Sequence, residues 1–249
     1  MTEYVGLDVS KEETSFCVMD GSGKILSSGK AASDPQALFL ALRADTLCPD
    51  RIVLETGTLS NWLARGLRGY HLPVDVIDAR QAHAVMKLQH NKTDANDAQL
   101  LAGIARSGFC RPVSVSSEAA QKQRILIKAR RHLVCQRRDT QNAIRGFLSS
   151  LGMRFAKGSG KLAERVEAVL AERPDLAAII SPLLAGAGAL AAQIKRLDKE
   201  VAVQVKATPA AGLLITIPGV GPITALAYAA TMDDPTRFTH SRAGGPIWD

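Results

Sequence analysis

Glu3-Tyr4-Val5-Gly6-Leu7-Asp8-Val9-Ser10-Lys11-Glu12-Glu13-Thr14-Ser15-Phe16-Cys17-Val18-Met19-Asp20 opens the chain with two β-runs, 3–9 and 14–20, separated by a short polar stretch. Asp8 interrupts the first run, which otherwise reads as a buried strand. An unpaired carboxylate beside buried strands costs on the order of several kcal/mol. A bound cation removes that cost, so Asp8 asks for a chemical reason.

Outward from this pair, Asp20-Gly21-Ser22-Gly23-Lys24 is a hairpin turn into a third run near Ile25. Three antiparallel strands are expected. Ser33-Asp34-Pro35 starts a helix carrying apolar Ala37, Leu38, Leu40, Ala41 and Leu42. Arg51 to Glu55 reads as a fourth strand, Leu59 to Leu67 as a helix and Leu72 to Ile77 as a fifth strand. This order predicts an α/β fold, a mixed sheet covered by helices. Glu55 ends the apolar run Ile52-Val53-Leu54, and parallel pairing of that strand with the first would set Glu55 beside Asp8.

Lys92-Thr93-Asp94-Ala95-Asn96-Asp97-Ala98 opens another helix, with Thr93 as its cap, Leu100, Leu101, Ile104 and Ala105 along its apolar stripe, and Gly108 at its end. Asp94 and Asp97 are three apart and share one helix face. The positive end of the helix dipole accounts for such a pair without any ligand. Arg111-Pro112 is expected to begin a linker.

The formal net charge is +7, and its distribution is uneven. Residues 111–157 hold eleven Lys and Arg against two acids, whereas 1–110 hold eleven against thirteen and 158–249 nine against nine. A polyanionic partner is therefore expected at the middle segment. There, Glu118 to Leu151 reads as one long helix bearing Lys122, Arg124, Lys128, Arg130, Arg131, Arg137, Arg138 and Arg145 around the seam Ile125, Leu126, Ala129, Leu133, Ile144, Phe147 and Leu148. With Asp139 the one acid among these charges, pairing within the helix does not explain them. Contact with nucleic-acid phosphates does, RNA and DNA alike. Aromatic residues here, Phe147 and Phe155, are too sparse for base stacking on single strands.

Lys157-Gly158-Ser159-Gly160-Lys161 reads as a break, followed by helices over 161–171, 183–206 and Ile223 to Met232. Before the last, Ile217-Pro218-Gly219-Val220-Gly221-Pro222 is a tight turn. Gly219 and Gly221 suit a helix-hairpin-helix turn whose backbone N–H groups approach a DNA phosphate, and equally an ordinary helix–helix turn with glycine at positive φ.

Cys17, Cys48, Cys110 and Cys135 show no paired short spacing, which excludes a zinc knuckle or disulfide framework and fits a reducing cytosol. The N-terminus lacks the basic and apolar regions of a signal peptide. No apolar stretch reads as long enough to span a bilayer, Leu183 to Ala192 being too short. The expectation is a soluble, intracellular protein.

Hard divalent cations need oxygen ligands converging from several segments, and paired cations activate an oxygen nucleophile and stabilise the leaving oxygen of a phosphodiester. Asp8, Glu55, Asp94 and Asp97 form such a candidate set. Gly-Leu-Asp-Val-Ser-Lys at 6–11, Leu-Glu-Thr-Gly at 54–57, Asn-Lys-Thr-Asp-Ala-Asn-Asp-Ala at 91–98 and Pro-Gly-Val-Gly-Pro at 218–222 resemble, in order, the DEDD transposases of bacterial insertion sequences, family one hundred and ten, and their relatives the pilin-gene invertases.

The resemblance implies an RNase H-like (RuvC-like) catalytic domain over 1–110, whose tetrad Asp8, Glu55, Asp94 and Asp97 binds Mg²⁺. It further implies a helical connector over 111–207 and an incomplete transposase domain over 208–249 that includes the glycine turn. Members recombine DNA, joining element ends to a target, assemble as homo-oligomers and use a structured guide RNA. They also continue past the segment matching Arg237-Phe238 to a Leu-Gly-Leu stretch and a Ser-Gly motif whose serine is the proposed nucleophile. This chain instead reads Ser241-Arg242-Ala243-Gly244-Gly245-Pro246-Ile247-Trp248-Asp249. A frameshift or early stop after Arg242 is expected, leaving a chain that binds nucleic acid and Mg²⁺ without recombining DNA and that exposes apolar surface over 213–232. The alternatives are a metal-dependent nuclease of the RNase H type, which uses the same tetrad with water, and a non-catalytic nucleic-acid-binding protein.

Overall fold

A computed structural model describes residues 2–45, 48–86, 93–155 and 161–238. Of the features read from the sequence, Asn91-Lys92, the break at 157–160 and the tail 241–249 lie outside the described residues. The chain divides into two compact units between Ser116 and Ser117, so the basic helix and everything after it fall in one unit.

The first unit contains β1 (Glu3–Val9), β2 (Glu13–Asp20), β3 (Ile25–Ala32), α1 (Pro35–Asp45), β4 (Arg51–Glu55), α2 (Ser60–Gly69), β5 (Val74–Ile77), α3 (Ala79–Met86), α4 (Asp94–Ser107) and β6 (Pro112–Val113). They build a six-stranded mixed sheet in the order β3-β2-β1-β4-β5-β6. β1, β2 and β3 are antiparallel, while β4 is parallel to β1 and β5 to β4. The turn after β2 is held by Asp20, whose carboxylate accepts from the Ser22 and Lys24 amides. The α1 start is capped by Asp34, which accepts from the Gln36 and Ala37 amides.

Alternation along the strands sends side chains to two covered faces. Val5, Leu7, Ile52 and Leu54 pack with Leu38 and Leu42 of α1 and Leu63 and Leu67 of α2. Burial of each such leucine contributes about 2 kcal/mol. On the opposite face, Val53 and Ile77 pack with Leu101, Ile104 and Ala105 of α4, and Cys17 and Met19 with Ala98 and Ala102. Gly6 lets α4 sit directly on β1: a β-carbon there would lie 2.1 Å from the Ala98 carbonyl oxygen and 2.2 Å from the Ala102 nitrogen.

Two elements depart from the sequence reading. The linker expected at Arg111-Pro112 includes β6, which pairs antiparallel with β5 through Val76↔Val113 and Ile77↔Pro112. An edge position tolerates Pro112 because no further strand requires its missing N–H. α3 was not anticipated; Asp78 starts it, accepting from the Arg80 amide through its side chain and from the Gln81 amide through its carbonyl.

The second unit contains α5 (Glu118–Ser150), α6 (Leu162–Glu172), α7 (Pro174–Ala207), α8 (Pro209–Leu214), α9 (Pro222–Met232) and a 3₁₀ turn at Pro235–Arg237. Ile144 and Leu148 of α5 pack with Leu162, Val166 and Leu170 of α6 and Ile180 of α7. Val201 and Val205 of α7 pack with Ala225 and Leu226 of α9, against which Leu126 and Ile127 of α5 rest. The seam expected on α5 is therefore partly wrong. Ile125 is 65% exposed and Phe147 54%, and Ile127 takes the inward place.

α7 also begins earlier than position 183. It runs from Pro174 straight through Pro182. A proline removes one helical hydrogen bond, but Ala178, four residues back, is exposed, so water can satisfy the freed carbonyl. This corrects the reading that no apolar stretch is long enough to cross a bilayer: by length and composition α7 qualifies, with a window of mean hydropathy 1.7. Of that window 17% is buried, and along the helix Ile180, Ala187, Ile194, Val201 and Val205 are the buried positions. Over 213–232, Leu213, Ile215, Ile217 and Tyr228 are exposed, while Ala225, Leu226, Ala229 and Ala230 are buried.

Candidate functional site

Parallel register carries Asp8 and Glu55 to equivalent places. β1 and β4 pair from Tyr4↔Arg51 to Leu7↔Leu54, and the next residue on each strand is Asp8 and Glu55. Both alternate with residues facing α1 and α2, so both belong to the face that α4 covers. The row continues across the sheet, because Asp8 pairs with Ser15 and Ser15 with Lys30. Lys30, Ser15, Asp8 and Glu55 thus form one lateral line on the α4 side of the sheet.

The first turn of α4 supplies the other two carboxylates. Thr93 caps it, its side chain accepting from the Asn96 amide, and Gly108 closes the helix with φ 70°. Because Ala98 sits over Gly6, Asp97 precedes that crossing and lies toward the Asp8 end of β1. Asp94 lies one turn further on and meets Lys30, its Oδ2 3.5 Å from Nζ.

The helix dipole accounts for Asp94 well and for Asp97 poorly. Asp94 is exposed, as a dipole-stabilised surface acid should be, whereas Asp97 is only 7% exposed. Burying a carboxylate there costs more than the dipole returns. Glu55 has the same difficulty, since its Oε2 is buried without a hydrogen-bond partner. Among the described residues, no Lys or Arg forms an ion pair with Glu55 or Asp97. Hard acceptor oxygens, one of them orphaned, fit a divalent cation. The four are not drawn into a closed cage: among the described residues no three His, Cys, Asp or Glu side chains converge tightly enough to hold a metal ion.

Beside Glu55 opens a cavity of about 280 Å³ lined by Val9, Ser10, Lys11, Gly57, Thr58, Leu59 and Ser60. Ser60 closes the loop, its hydroxyl donating to the Gly57 carbonyl and accepting from the Gly57 amide. Nothing in the sequence reading singled out this hollow, although the Ser-Lys and Thr-Gly residues that flank the two carboxylates build it.

The basic helix is more engaged than its composition suggests. Lys122 pairs with Glu118 at 2.7 Å and Arg138 with Asp139 at 3.2 Å, both within α5. Two of the eight basic residues are thus paired within the helix. Arg130 is bound to Asp198 of α7, and Arg124 donates to the Ala230 carbonyl at 3.0 Å. Arg145 donates to Asn142 and keeps a buried Nε without a partner. Lys128 and Arg131 are exposed, and no ion pair holds either among the described residues. Arg137 lines a groove with Gln141, Glu167 and small residues of α7.

In the turn before α9, Gly219 has φ 87°, a conformation glycine adopts without strain. Gly221 has φ −85° and caps α9 with no side-chain hydrogen bond. Around both glycines an added β-carbon would meet no atom within 4 Å.

The geometry of the sheet and of the helix over it stands beside the comparison to known proteins. Residues 5–153 match the family model of the IS110 DEDD transposases, described as transposase, and residues 211–244 match the transposase IS116/IS110/IS902 family. The chain belongs to the IS110 family of DEDD transposases. It is similar to the transposase for insertion sequence element IS1111A of Coxiella burnetii, 26% identical over 245 residues that cover 96% of this chain and 66% of that protein. A putative transposase, y4pF/y4sB, of Sinorhizobium fredii is 32% identical over 198 residues, covering 78% of this chain and 50% of its own. The transposase for insertion sequence element IS1328 of Yersinia enterocolitica is 25% identical over 245 residues, 97% of this chain and 71% of that one. The chain thus spans between half and two thirds of the length of the first two.

Proposed function

We propose that this chain acts in DNA transposition as the metal-binding, phosphodiester-positioning part of an insertion-sequence recombinase with an RNase H-like first unit. The observation that carries the reading is the row of Asp8 and Glu55 under the buried Asp97, with the Glu55 Oε2 left without a partner. Asp8, Glu55, Asp94 and Asp97 would hold Mg²⁺, which supplies charge neutralisation at the scissile phosphate and activation of an oxygen nucleophile. Asp8 and Glu55 are carried by the sheet and Asp97 by a buried helix turn, and a bound cation would draw these carboxylates together. Asp94, exposed at the helix start, has room to move.

DNA at the element ends and target is the proposed polyanion. Lys128 and Arg131 on α5 would meet its phosphates, and the open backbone at Gly219 and Gly221 would allow close approach of a further phosphate. A structured guide RNA and further copies of this chain are proposed partners on the family resemblance alone. No residue is assigned the nucleophile.

Binding of element-end duplex DNA with and without Mg²⁺ tests the reading. The wild-type complex is expected to tighten with Mg²⁺, and Asp8→Asn to abolish that gain while leaving the Mg²⁺-independent binding in place. Equal Mg²⁺ stimulation of wild type and Asp8→Asn contradicts it.

A further inference from the structure

Lys30 occupies the far end of the row Lys30–Ser15–Asp8–Glu55, two strands away from Asp8. It is the basic member of a line that otherwise carries the hydroxyl of Ser15 and two carboxylates. Ser15 between them is 4% exposed, so the line is spaced by a buried small side chain rather than by a mobile one. The β3 backbone places Lys30 opposite Ser15, and Ala31 beside it is turned toward the face covered by α1 and α2. Lys30 is therefore on the α4 side of the sheet, at its exposed edge. It pairs there with Asp94, the one candidate ligand that the sheet and core do not fix, at 3.5 Å and with both side chains more than half exposed.

We propose that Lys30 is a positioning residue that competes with the divalent cation for Asp94 and so sets the cation concentration at which the site fills. The inference rests on the metal-site reading above. Asp94 has one carboxylate to give. While its Oδ2 faces the Lys30 ammonium it is drawn toward β3, away from the Asp8–Glu55 end, and turning it to a cation requires that pair to part. An exposed pair of this kind is weak, so the competition is a bias of about two- to fivefold rather than a block.

Mn²⁺ binding to the full chain, followed by the paramagnetic signal of the free ion, measures this directly. Lys30→Met is expected to tighten Mn²⁺ binding about two- to fivefold. Lys30→Arg, which keeps the ion pair, should bind as wild type does. In an Asp94→Asn background the Lys30→Met gain should vanish, since no carboxylate remains to compete for. A merely structural Lys30 would loosen binding when removed. Unchanged or weaker Mn²⁺ binding in Lys30→Met overturns the proposal, as does a gain that persists in Asp94→Asn, which would mark a general effect of charge. Asp8→Asn separates the two readings: if it binds Mn²⁺ like wild type, the metal site itself is wrong; if it loses Mn²⁺ and Lys30→Met changes nothing, only the competition is.

Discussion

Asp8 and Glu55 sit side by side on two parallel neighbouring strands, each one residue beyond Leu7↔Leu54, the last pair of the β1–β4 ladder. That relationship follows from the apolar register of β1 and β4: a slip by one residue would turn both acids into the face filled by α1 and α2 and move Leu7 and Leu54 to the face that α4 covers. The carboxylates are thus held by the same packing that makes the core.

Gly6→Ala is expected to destabilise the first unit by about 3 kcal/mol, at the upper end of ordinary overpacking. The three atoms nearest the added methyl are all backbone of α4, at Ala98, Leu101 and Ala102, and backbone cannot swing aside as a side chain can. Urea unfolding of the variant beside wild type measures the loss.

The paired arginines Arg130 and Arg131 should separate. Arg130 is bound to Asp198 and half-buried, so Arg130→Ala should lower the melting temperature with little effect on DNA affinity. Arg131 is exposed, so Arg131→Ala should weaken DNA binding across sequences and reduce the slope of log affinity against log salt by about 1. Melting curves and a salt titration of DNA affinity test both.

Much of the first unit was legible because strand period, turn chemistry and caps agree there. The hairpin at Asp20, the Thr93 cap and the Gly108 stop are all where their residue types predict. α3 was not read, because its one clear signal is Asp78, which also ends a strand segment. The helix expected over 183–206 starts too late, because α7 runs through Pro182, with Ile180 and Ala187 buried on either side of it. Of the candidate site, Asp8 stands out in the sequence because a charge in an apolar strand has few structural excuses. Lys30 does not, since a lysine on an edge strand is ordinary and only pairing register brings it to Asp94.

Ser117 ties the two ends of the second unit's helical frame. It caps α5, and its amide and hydroxyl both donate to the Asp233 carboxylate, at 2.6 and 2.7 Å. Ser117→Ala should cost about 1–2 kcal/mol. Chemical denaturation monitored by helical circular dichroism gives the value.

Burial raises the Cys17 thiol above its ordinary value. Its contribution to stability is therefore complete below the unfolded thiol value of about 8.5 and is lost as pH rises through the folded one. A thiol reagent at pH 8 should label exposed Cys48 at once and Cys17 only on unfolding. Mass mapping of the labelled peptides decides this; prompt labelling of Cys17 in the folded chain contradicts its placement.

The cation site itself is tested most directly by Glu55→Gln in a melting experiment with and without Mg²⁺. The Glu55 Oε2 is buried without a partner, so replacing the charge by a neutral amide should raise the melting temperature when Mg²⁺ is absent and remove most of the rise that Mg²⁺ gives wild type. If Glu55→Gln is less stable than wild type without Mg²⁺ and keeps the full Mg²⁺-dependent rise, Glu55 is a structural acid and the tetrad is not a metal site.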